Sequence, residues 1–175
     1  MNAFHFQELT FSWPDKLVSG TYLWIWNADK VPPHIGISRG QNYFSLTYKQ
    51  AEIQKNVAAM VRKAKRSGIP LVLVDLSGLV FQHDFTTIFQ QYERAGMNGA
   101  TCLSPVKQVL GISVNVKQLS ELLTEIETAG KMKQVFAIHL TSAYKGIPDY
   151  TVSEIMQRIE QLHETNRSES TTASR

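Results

Sequence analysis

The chain of 175 residues has a single cysteine, Cys102. One thiol forms no internal disulfide and builds no cysteine-rich zinc site. Long hydrophobic runs are also missing. The longest apolar stretch, residues 69–81, is broken by Pro70, Asp75, Ser77 and Gly78, whereas a membrane helix needs roughly 20 apolar residues. The first residues, MNAFHFQELTF, carry neither a basic segment nor a long apolar one, so the sequence predicts a cytoplasmic chain with no membrane span. An excess of one charge is lacking as well: the net charge is +3, too small to imply nucleic-acid binding. No Gly-rich nucleotide fingerprint occurs, and no His, Asp or Glu pair has a recognised metal-ligand spacing. No metal and no cofactor are therefore expected.

What is present suits a core. Hydrophobic residues make up 43% of the chain, with eight Phe, six Tyr and three Trp. Thr21–Trp26, His34–Ser38 and Tyr43–Lys49 read as strands joined by turns, an antiparallel meander. The pattern predicts a helix over Gln50–Arg66, ended by Gly68. PLVLVDL, residues 70–76, is a nearly continuous apolar strand, which implies burial on both faces. Helices are expected from Asp84 to Ala95, around Gly99–Leu110, from Asn115 to Ala129, and after the capping pair Thr151 and Glu154. Residues 134–140 read as another strand. The predicted fold class is α+β in one domain over residues 1–162, with an α/β sandwich as alternative. Residues 163–175 read as a polar, frayed tail.

Two residues carry a chemical idea. His34 opens a strand after Pro32-Pro33, and Gly36 leaves space on the same strand face. Cys102 follows Thr101, a plausible N-cap, and begins a helix, where the positive dipole end favours a thiolate. A thiolate beside an imidazole has the parts of an activated nucleophile.

The stretch HIGISRGQNYFSL, residues 34–46, resembles the His hairpin of the NlpC/P60 and lecithin-retinol-acyltransferase-like proteins of the papain-like superfamily. The order His34 then Cys102 is that of the circularly permuted branch. The resemblance implies a permuted papain-like architecture and hydrolysis or acyl transfer at an amide or acyl bond. Cys102 would attack, His34 would serve as base and then acid, and a peptide or acyl group would be the substrate. The family's third polar residue has only Ser45 and Thr47 as counterparts here. Lys49–Gly96 has no counterpart in the family. Trp24 and Trp26, on one face of their strand, and Tyr43 are candidate substrate-binding positions.

His139 on the strand QVFAIHL is a competitor to His34, but it has no Gly hairpin beside it. His83 reads as a loop residue before the capping Asp84. Asp75 ends its strand, where ligands gather in open parallel sheets. Two non-catalytic alternatives follow: a protein-interaction module on a degenerate papain-like fold, and an α/β protein binding a small ligand at the Asp75 strand end.

Overall fold

The structure, a computed structural model, describes residues 2–173. Its order is β1 (Asn2–His5), β2 (Thr21–Trp26), β3 (His34–Arg39), β4 (Asn42–Leu46), β5 (Ala51–Asn56), α1 (Val57–Ser67), β6 (Leu71–Asp75), α2 (Phe85–Phe89), α3 (Leu103–Leu110), α4 (Leu119–Thr128), β7 (Val135–Ile138), β8 (Gly146–Pro148) and α5 (Val152–Ala173). The fold is α+β. Six antiparallel strands form one sheet in the order β5-β4-β3-β2-β6-β7, and β1 pairs with β8 in a second, two-stranded sheet.

Helices cover both faces of the large sheet. On one face α1 packs Val57 and Ala64 over Trp24, Trp26, Tyr43, Leu71 and Leu73. On the other, residues of α2 to α5 bury Leu23, Ile25, Ile35, Ile37, Val72 and Val74. The central strands β2 and β6 are therefore buried at every position but the last of β6, which is why PLVLVDL shows no alternation. Its neighbours β2 and β7 both run antiparallel to it. Asp75 thus ends a strand of an antiparallel sheet, and its Oδ1 accepts the Ser77 N–H at 2.8 Å.

Several boundaries differ from the sequence pattern, among them the start of α3 at Leu103 and the end of β4 at Leu46. Residues 51–56 form the edge strand β5, and α1 begins only at Val57. The physical reason is the cap: Asn56 has extended backbone, and its side chain accepts the Ala59 N–H at 3.1 Å. The helix after Asp84 stops at Phe89. That after Asn115 starts at Leu119, where Glu121 accepts the Lys117 and Gln118 amides.

At the far end, α5 continues to Ala173 through the polar stretch after His163. There Thr165, Ser168, Thr171 and Thr172 donate to carbonyls one turn back. Residues 174 and 175 of the expected tail lie outside the described residues.

Candidate functional site

A cavity of about 600 Å³ lies where β3 and β4 meet α3, α4 and α5. Its floor is the apolar side chains Ile35, Leu46 and Leu119, and α5 closes it with Ile155, Ile159 and Leu162. Gly96 lets α5 approach: a Cβ there would stand 2.9 Å from Ile159. Tyr48 meets His163 of α5 edge-on, with ring centroids 5.6 Å apart. This volume falls within the range of about 300–1,000 Å³ usual for small-molecule sites.

Cys102 and His34 both border this cavity. Cys102 stands at the start of α3, half-buried. The turn is fixed by reciprocal bonds: Thr101 N–H donates to Ser104 Oγ at 3.0 Å, and Leu103 N–H donates to Thr101 Oγ1 at 3.3 Å. Burial pushes the thiol up from its usual range, and the backbone N–H groups of Ile35, Cys102 and Leu103 act on the sulfur in the opposite sense. Desolvation wins, so the resting group is a neutral thiol at pH 7.

His34 is half-buried, and burial, with the Lys63 ammonium second, lowers it to about 4. It is a neutral imidazole at pH 7. Strand alternation decides where it points. Ile35 and Ile37 enter the core under α2 to α5. Gly36 and Ser38 take the opposite face, where Ser38 Oγ accepts from Trp24 Nε1 at 2.8 Å. His34, paired with Trp26, follows them toward α1 and Lys63. Cys102 instead packs with the core on the other face. The two side chains thus reach one cavity from opposite faces of the sheet, and no hydrogen bond joins them among the described residues.

The supporting candidates are tied elsewhere. Ser45 is fully buried and donates to Glu52 at 3.1 Å. Thr47 Oγ1 accepts the Lys49 and Gln50 amides, building its own turn at the cavity edge. Neither bonds to His34. Trp24, Trp26 and Tyr43, expected at a substrate surface, are buried under α1 and do not line the cavity. They form an aromatic cluster in which Trp26 Nε1 donates to Tyr43 Oη at 2.8 Å. The space over Gly36 is not open beside the imidazole, because the Tyr43 phenol fills it. That follows from pairing: Gly36 faces Ser45 and Ser38 faces Tyr43 across β3 and β4, which sets the long phenol diagonally over the glycine.

His139 lies outside the cavity, with Nδ1 3.0 Å from the Ile69 carbonyl. Asp75 and His83 also lie outside it.

Comparisons with family models, curated proteins and solved structures give no match. The cavity must therefore be interpreted from its own residues. Among the described residues no cluster of three or more His, Cys, Asp or Glu is placed to hold a metal ion, and no helix is long and apolar enough to cross a membrane.

Residues that sequence reasoning missed complete the site. Tyr150 is buried in the wall, and its Oη accepts the Leu119 N–H at the start of α4, at 3.0 Å. Burial raises its hydroxyl far above the usual range, so it stays neutral. Lys30, Lys117 and Arg158 stand at the edge. Three separate segments supply them, so no local pattern marked them. The one local clue was Arg158 and Leu162, one turn apart on the last helix.

Proposed function

We propose that this protein binds a small organic molecule in the cavity beneath α5. One observation carries the reading: about 600 Å³ of space between three helices and the ends of two strands, with more apolar than polar surface and with polar groups such as His34, Cys102 and Tyr150 in its wall. A ligand there would touch Ile35, Leu46, Leu119 and Ile159 and stand beside the Cys102 thiol.

The test is ligand-dependent stabilisation of the full chain. A ligand that binds only the folded state at 100 times its Kd adds about 2.7 kcal/mol. Replacing Ile159 by Trp, which fills the cavity from α5, should abolish that gain. An equal gain in Ile159→Trp and the parent chain would place binding elsewhere and defeat the reading.

A second reading is favoured by a separate observation. Cys102 starts α3 and borders the same cavity as His34, a placement that suits a thiol attacking an acyl or amide carbonyl. Together with the His34-to-Cys102 order, this supports thiol-dependent hydrolysis or acyl transfer in a permuted papain-like manner. It requires the His34 ring to turn from the α1 face toward the sulfur. The check is the alkylation rate of Cys102 by iodoacetamide against pH. Catalytic pairing predicts a profile that changes in His34→Ala. Reaction that sets in only above about pH 8.5, the range of an ordinary thiol, and is the same in both proteins removes this reading.

A further inference from the structure

The charges around the cavity have one sign. Lys30 from the loop before β3, Lys117 from the segment before α4, and Arg158 from α5 all border it. No Asp or Glu belongs to its wall among the described residues. None of the three cations makes a hydrogen bond or ion pair through its side chain among the described residues. Of the acids near them, Glu121 accepts the Lys117 and Gln118 amides, whereas Asp29 adjoins Lys30 in the chain, lies by Tyr144 and makes no side-chain hydrogen bond among the described residues. Lys107 lies near Lys117: its ammonium is held by the Val114 and Val116 carbonyls and feels Lys117 as a like charge and Glu121 as an opposite one. The starts of α3 and α4, at Leu103 and Leu119, also border the cavity and add the same sign.

The interior gives the other half of the specificity. The apolar part of the wall is Ile35, Leu46, Leu119, Ile155, Ile159 and Leu162. An apolar body gains by leaving water for that wall. The three cations are exposed, so an anionic group beside them keeps part of its hydration and its desolvation stays small. A cationic head would find like charges and no carboxylate in the wall.

We propose that the cavity selects an apolar organic anion, a carboxylate or phosphate on a hydrocarbon body, with its charged end between Lys117 and Arg158. The proposal rests on the small-molecule reading above and names its ligand class.

Isothermal titration of the full chain with octanoate, octyl phosphate, octan-1-ol and octylamine tests it, in low salt because edge charges are screened. The expected result is at least tenfold tighter binding of one or both anions than of octanol, and weaker binding still of octylamine. The ratio of octanoate to octyl phosphate tells which anionic group is preferred. Lys117→Gln combined with Arg158→Gln should weaken the anion at least fivefold and leave octanol unchanged. Both positions are exposed, so the variant should fold, and circular dichroism verifies that. Octanol or octylamine binding as tightly as the anions overturns the anion proposal and leaves the small-molecule reading standing. Binding of none of the four overturns both.

Discussion

Gly36→Ala offers the sharpest test of how the sheet is packed. A Cβ at position 36 would collide with Tyr43 Oη and would stand 2.5 Å from its Cζ and 2.7 Å from its Cε2. Neither partner can easily yield. Gly36 sits mid-strand between β2 and β4, and Tyr43 is 1% exposed with its hydroxyl accepting from Trp26 Nε1. Overpacking of this kind costs about 1–3 kcal/mol. If the phenol shifts to make room, the buried Trp26 N–H loses its partner, at about 1–3 kcal/mol more. Alanine recovers roughly 0.5–1 kcal/mol through its lower backbone entropy. The net expectation is a loss of about 2–3 kcal/mol, or roughly 5–10 °C in Tm for a chain of this size. Urea unfolding followed by tryptophan fluorescence reads it directly, since Trp24 and Trp26 lie in the same cluster. In a Tyr43→Phe background the ring-carbon clash remains, but the cost should shrink by the hydroxyl's share, because the Trp26 N–H then has no phenol partner to lose. A change within about 0.5 kcal/mol, or a cost unaltered by Tyr43→Phe, would refute this packing argument.

Two further outcomes follow from the same geometry. His34 falls to about 4 on folding, mainly through burial, against about 6.5 in the unfolded chain. The unfolded state therefore takes up the proton first, and stability should be level above pH 7 and fall as pH drops from about 6.5 toward 4. After discounting for partial solvent contact the loss is about 1–2 kcal/mol; a pH series of urea midpoints in His34→Gln should lose that slope, and an unchanged slope would assign it to other groups. Tyr150→Phe leaves the Leu119 N–H at the start of α4 without its partner, so denaturation should show a loss of about 1–2 kcal/mol. A neutral result would mean that water replaces the hydroxyl there.

Local chemistry explains which elements the sequence announced. The meander is written in TYLWIW, HIGISR and the turn at Gly40, whose φ of 59° favours glycine. The Thr151–Glu154 capping box appears as drawn, with Thr151 N–H donating to Glu154. The edge strand β5 was hidden because AEIQKN has no β-branched alternation, and only pairing with β4 makes it a strand. The strands β1 and β8 are four and three residues long and exist only through each other, some 140 residues apart in the chain.

The site divides along the same line. By itself the sequence determined that one thiol starts a helix and that one histidine opens a strand, because caps, prolines and turn residues act over a few positions. Which face of the sheet each side chain takes was decided by the tertiary structure. Strand alternation is local, but the sense of the faces is set by which helices land on which side: α1 on that of Trp24 and Trp26, α3 on that of Ile35. The cavity is likewise a product of tertiary packing. Lys30, Lys117 and Arg158 are 87 and 41 residues apart in the chain, and only tertiary packing brings them to one cavity.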